Sequence, residues 1–207
     1  MKYLLIVFIL CFEVGFVAAQ NVTVGTIPKL NVCTADTIWV PYSSTGIFNA
    51  DNFFAAQLSD GNGTFKTFTN IGNSKDAQGI IPVVMWSSGV SYKVRIIATS
   101  PYTISENTSS VIKVFDYPSP KPAPQIRNTH LGPTAFVGDI IKFTDVSESP
   151  GSQFAWSFEE DANIITSTSP APTVIYPTIG LKSGSLSVTN PAGCATTKTF
   201  ALKILSC

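Results

Sequence analysis

The sequence is poor in charge and poor in the side chains that catalysis uses. Charged residues are 13% of the 207, thirteen Lys and Arg against thirteen Asp and Glu, and there is one histidine, His130. An ordinary soluble domain carries about 25% charge, so this surface is built from Ser, Thr, Asn and Gly. Zero formal net charge and a pI ≈ 6.5 exclude a nucleic-acid partner and a polybasic membrane contact, because counterion release needs a clustered excess of Lys and Arg. No Walker loop, dinucleotide fingerprint, Cys-x-x-Cys pair or His-Glu-x-x-His occurs, so no cofactor is expected. His130 has no acidic residue near it before Asp139, which leaves a Ser-His-Asp relay without its orienting acid.

One long apolar run is present, and it lies at the N-terminus. Lys2 precedes the run Tyr3–Phe12, Glu13 interrupts it, and Val17-Ala18-Ala19 stands before Gln20. A basic start, a short apolar stretch and small residues at −3 and −1 predict a secretory signal peptide over 1–19, cut after Ala19. A membrane span needs about 20 predominantly apolar residues, and Glu13 with Gly15 cuts this one short. No stable span is therefore expected after cleavage, and the expected address is secreted, extracellular or cell-surface, with the periplasm as the alternative.

The mature chain keeps Cys33, Cys194 and Cys207, an odd number, so at least one thiol is free or intermolecular. Cys194 and Cys207 lie along one extended segment, where a rise of ~3.3 Å per residue holds them too far apart to pair. A bridge to Cys33 would have to staple two domains together. The default expectation is three buried or idle thiols.

Proline recurs at every second position in Tyr117-Pro118-Ser119-Pro120-Lys121-Pro122-Ala123-Pro124-Gln125. Proline fixes φ and removes the ladder donor, so residues 117–125 are predicted to form an extended, semi-rigid linker reaching roughly 28 Å. It divides the chain into 20–116 and 126–207. In the first part, apolar runs recur at Thr37–Val40, Phe53–Leu58, Phe65–Ile71, Ile80–Trp86, Tyr92–Ala98 and Val111–Phe115, separated by Gly, Asn and Ser turns. Short strands at that spacing predict an antiparallel β-sandwich. Tyr92 opens a cleanly alternating run after a glycine-containing turn, where its hydroxyl could satisfy a nearby backbone group.

Val40-Pro41-Tyr42, Gly46-Ile47-Phe48, Gln57-Leu58-Ser59-Asp60, Ile80-Ile81-Pro82 and Tyr92 with Arg95-Ile96 resemble an immunoglobulin/fibronectin type III-like module of bacterial secreted surface proteins. In the second part, Ile141–Ser147, Phe154-Ala155-Trp156-Ser157-Phe158, Tyr176-Pro177 and Leu186–Asn190 with Gly193 resemble a PKD (polycystic-kidney-disease-type) domain. Phe154, Trp156 and Phe158 fall on one strand face, and Phe200, Leu202 and Ile204 alternate inward on the last strand. The family's Trp-x-Phe-Gly-Asp-Gly pattern is replaced by Trp156-Ser157-Phe158-Glu159-Glu160-Asp161, where Glu159 stands in place of a glycine suited to positive φ. The expected fold class is all-β: two immunoglobulin-like antiparallel sandwiches and a proline-rich linker after a signal peptide.

The resemblance implies a secreted, non-catalytic module for adhesion, spacing or binding, with a polysaccharide or a cell-surface protein as partner. Two alternatives stand beside it, an accessory or fragment of a carboxylate-based glycoside hydrolase and a glycosylated cell-adhesion domain. No catalytic residue is assigned. The hydrolase alternative would use Glu159, Glu160 and Asp161, which also make a weak calcium candidate through their hard oxygen ligands. Sugar rings would stack on aromatics, and Trp39, Trp86, Tyr102 and Phe54 are the candidates. Trp39 and Trp86 sit in apolar runs and are expected mainly in the core, while Tyr102, after Pro101, is expected exposed in a loop. Asn21, Asn62 and Asn107 match the N-glycosylation pattern, and Thr37 sits in a short O-glycan-like acceptor, Asp36-Thr37-Ile38.

Overall fold

The computed structural model describes residues 19–126, 134–147 and 153–206. His130, Cys207 and all but the last residue of the expected signal peptide lie outside them. Every regular element among the described residues is a strand. The first ten are β1 (Asn21–Val24), β2 (Asn31–Cys33), β3 (Thr37–Thr45), β4 (Phe54–Ser59), β5 (Phe68–Ser74), β6 (Gln78–Val84), β7 (Gly89–Tyr92), β8 (Val94–Thr99), β9 (Tyr102–Ile104) and β10 (Ile112–Phe115). The remaining strands are β11 (Pro122–Ile126), β12 (Thr134–Phe136), β13 (Ile141–Asp145), β14 (Gln153–Phe158), β15 (Thr166–Ser167), β16 (Thr173–Val174), β17 (Gly180–Thr189) and β18 (Ala195–Leu205).

The chain follows one path twice. β1 pairs antiparallel with β3 and β11 with β13, whereas the short β2 and β12 run parallel to the closing strands β10 and β18. One sheet of each half is thus β1-β3-β6 or β11-β13-β16. The facing sheet is β12-β18-β17-β14-β15 in the second half. In the first half it divides into β2-β10-β7 and β5-β4-β8-β9, with only Lys93 separating β7 from β8. Two sheets of this connectivity make an immunoglobulin-like sandwich.

Alternation supplies the cores. Ile38, Val40 and Tyr42 on β3 and Ile81 and Val83 on β6 point inward to meet Phe54 and Ala56 on β4 and Val94, Ile96 and Ala98 on β8. The second core gathers Phe143, Trp156, Phe158, Leu186, Val188, Leu202 and Ile204. Trp156 is buried between the sheets and donates its indole N–H to Ser169 O at 3.0 Å, satisfying the one polar group of a buried indole.

Two expectations are corrected. Residues 122–125 of the expected linker belong to strand β11, which ends at Ile126. Proline is excluded from central strands because it cannot donate to the ladder, but β11 is the edge of its sheet, where an alternating proline run is tolerated. Pro118 and Pro120, just before it, are buried, so the segment packs rather than standing free as a spacer. The cysteines are not idle: Cys33 and Cys194 form a disulfide with Cα atoms 5.8 Å apart. Asn190 donates its side-chain amide to Asp116 O at 3.0 Å beside it. The packed segment and the bridge both hold the two halves close together, where a free-standing spacer would hold them apart.

Candidate binding site

The largest departure from the sequence reading concerns Trp39 and Trp86, which stand outside the core at 55% and 76% exposure. Parity on the strand is the cause. Ile38 and Val40 face inward on β3, so Trp39 between them must face outward. Likewise Ile81, Val83 and Met85 are buried, which sends Ile80, Pro82, Val84 and Trp86 to the other side. In register, Trp39 lies opposite Pro82 and Pro41 opposite Ile80. The outer face of β3 and β6 therefore carries an apolar stripe, and neither strand contributes a charged residue.

The stripe leads into an open groove of ≈ 290 Å³ at the edge of the first sandwich. Leu58, Ile71 and Tyr92, partly buried against the core, form its apolar lining, Trp86 stands at its edge, and Thr69 and Ser87 add hydroxyls. Asp60 is the one charged residue lining it. Its Oδ1 accepts the backbone N–H groups of Asn62 and Thr64 at 3.0 and 2.9 Å, and its Oδ2 pairs with the Thr64 hydroxyl. These bonds, that from the Thr64 hydroxyl first, hold its carboxyl below the usual aspartate value, with Lys66 adding a small favourable charge. The same bonds close the turn that follows β4 on the way to β5.

Tyr92 behaves as its position suggests. Its hydroxyl donates to Ser88 O at 3.2 Å, four residues upstream, and its ring lies across Gly89, where an added Cβ would meet Tyr92 Cε2 at 2.5 Å. The glycine is required so that the ring can fold back over its own strand. Tyr102 is 61% exposed, but on strand β9 rather than in a loop, and it does not line the groove. Phe54 is buried against Tyr42 and Phe48 and cannot offer a stacking face.

The acidic run of the second half is dispersed rather than convergent. Glu159 Oε1 accepts both the backbone N–H and the hydroxyl of Ser183 at 2.8 Å. Glu160 is exposed. Asp161 Oδ2 is bound by the Lys182 ammonium and the Thr178 hydroxyl, and the Lys182 bond is the leading cause of its lowered pKa. Lys182 is itself buried, with its ammonium 5.7 Å from the Tyr176 ring centre. Among the described residues no three His, Cys, Asp or Glu side chains converge. Glu159 does not adopt positive φ, so this turn follows a geometry that needs no glycine there.

Of the glycosylation candidates, Asn62 is exposed on its turn and Thr37 is exposed at the start of β3. Asn107 donates its side-chain amide to Val24 O and accepts from Val24 N, each at 2.8 Å. Asn21 is half-buried on β1. The groove residues Ile71, Val84 and Asp60 were not candidates from sequence. The signal that could have found them is the parity that places Val84 and Trp86 together, combined with the hairpin that brings Ile71 across.

No family model and no curated protein matches the chain. Among solved structures it is similar to a marsupial T cell receptor at 10% identity, covering 91% of this chain and 73% of that one with a TM-score of 0.47. It is also similar to a structure described as giving insight into host cell surface retention of a 1.5-MDa bacterial ice-binding adhesin, at 11% identity with a TM-score of 0.39. That match covers 91% of this chain and 64% of the other.

Proposed function

We propose that this chain is an exported, non-catalytic module that binds or adheres at a cell surface or in the extracellular space, with its second half a PKD-like sandwich. The observation that carries the reading is the placement of Trp39 and Trp86: both cores close without them, and they remain outside with exposed neighbours Ile80 and Pro82. Contiguous exposed apolar surface on a soluble protein marks a contact site more often than chance. The disulfide between Cys33 and Cys194 supports an oxidising compartment and thus the signal-peptide reading of residues 1–19. The engagement of Glu159 by Ser183 and of Asp161 by Lys182 speaks against a carboxylate pair set for glycoside hydrolysis or for calcium.

Incubating residues 20–207 with insoluble polysaccharides and with whole cells tests this reading. Retention without release of reducing sugar, unchanged in Glu159→Gln and Glu160→Gln, is the expected result. Turnover abolished by either substitution would establish the hydrolase alternative instead. A mass excess at Asn21, Asn62 or Asn107 in exported material would favour the glycosylated adhesion domain.

A further inference from the structure

We infer that the Trp86 groove, with the Trp39 stripe leading into it, binds a neutral polysaccharide chain; this rests on the binding-module reading above and names the ligand for it. Three observations select that ligand. The first is shape. Trp39 lies opposite Pro82, and Trp86 is four residues further along the same strand line, so the two indoles are offset by roughly 13 Å at ~3.3 Å per residue. A linear array of flat apolar faces of that length suits successive sugar rings, each of which presents one C–H face to an aromatic ring.

The second observation is charge. The stripe strands carry no charged side chain. The groove carries only Asp60, which its bonds to Asn62 and Thr64 keep ionised, with Lys66 close enough to offset it partly. An acidic polymer would meet this carboxylate and find no matching cation in the lining. An anionic membrane would find no basic cluster to hold it. A neutral glycan needs neither.

The third observation is polarity at the edge. Thr69 and Ser87 place hydroxyls beside the apolar lining of Leu58, Ile71 and Tyr92. A mainly apolar concavity with a few polar groups is the usual makeup of a small-ligand site, and sugar hydroxyls would exchange water for these groups while the ring packs on Trp86.

The disulfide-intact chain 20–207 tests this against four probes: amorphous cellulose and insoluble mannan as neutral polymers, polygalacturonate as an acidic one, and vesicles containing phosphatidylglycerol. Expected is retention on at least one neutral polymer, at least tenfold weaker in Trp86→Ala and in Trp39→Ala, with melting temperatures unchanged. Matching soluble oligosaccharides should shift the tryptophan emission of the wild type. The third tryptophan, Trp156, is buried, so the double variant should show no shift. Retention that survives both substitutions would overturn this site while leaving the binding-module reading standing. Binding to polygalacturonate or vesicles alone, or to none of the probes, would overturn the neutral-glycan assignment. Adherence to cells by the same sample would then show that the module binds something else, and its loss in Trp86→Ala would mark the groove as a protein-docking face.

Discussion

At the scale of single residues, Gly89 is fixed by what lies across it. Adding a methyl group there forces the Tyr92 ring off its strand, and overpacking of this kind costs about 1–3 kcal/mol. Gly89→Ala should therefore lower the melting temperature clearly, whereas Tyr92→Phe should cost only about 0.5–1.5 kcal/mol, the net worth of the hydroxyl bond to Ser88. Tyr176 gives the opposite prediction. Its ring fills the second core, yet its hydroxyl oxygen is buried with no hydrogen-bond partner among the described residues, so Tyr176→Phe should leave stability unchanged or raise it. Burial, with the charges of Glu159 and Asp161, pushes its pKa up to about 12. A folded pKa above the unfolded value of about 10 means that stability falls as pH rises from 10 to 12. The Phe variant should lose that slope in an alkaline denaturation series. Tyr92 was legible in sequence because a corner tyrosine is a local pattern. Trp39 and Trp86 were misplaced because an uninterrupted apolar run hides its parity, which only the buried neighbours Ile38, Val40, Val83 and Met85 reveal.

At the scale of elements, the loop after β14 is tied to β17 by the bond of Asp161 to Lys182. A depressed carboxylate pKa gives stability that is present above the unfolded value of about 3.9 and is lost as pH falls through the folded value. Asp36, held down chiefly by the Cys33 backbone N–H, and Asp60 act in the same sense. Stability should thus be flat near neutrality and fall below about pH 4. Asp161→Asn should flatten the acid limb of a denaturation series and lower stability at pH 7, because it leaves the buried Lys182 without its counter-charge. An acid limb as steep as the wild type's would contradict the tie. Most inner strands of both halves were readable from their alternation and turns. The short β1, β2 and β9 were not, since three or four residues carry too little period, and β11 was hidden because its prolines are compatible with a strand only at an edge. The long β17 was obscured by Ser183, Gly184 and Ser185, small residues that carry little β preference of their own and rely on pairing with both β14 and β18.

At the scale of the whole molecule, two sandwiches of the same path are joined at three neighbouring points: the Cys33–Cys194 bridge, the bond from Asn190 to Asp116, and the chain itself through the buried Pro118 and Pro120. The bridge departs from the turn that Asp36 closes by accepting Cys33 N–H at 3.0 Å. It arrives at the hairpin that Asn190 closes by accepting the N–H groups of Ala192 and Cys194. Each sulfur is thus presented by a fixed turn of its own half. Because each half has its own core, Cys33→Ser with Cys194→Ser should keep the β-type circular dichroism spectrum, while small-angle scattering should report a broader range of overall dimensions. Sequence could supply the two halves and the need for an odd cysteine. It could not supply the pairing, which depends on how the linker packs. The most direct test of an exported pair of clamped sandwiches is a proteolytic map of the exported chain made without reductant. The account predicts one peptide pair joined through Cys33 and Cys194, released by reduction, with an N-terminus at Gln20. Free thiols at both positions, or a chain still beginning at Met1, would contradict it.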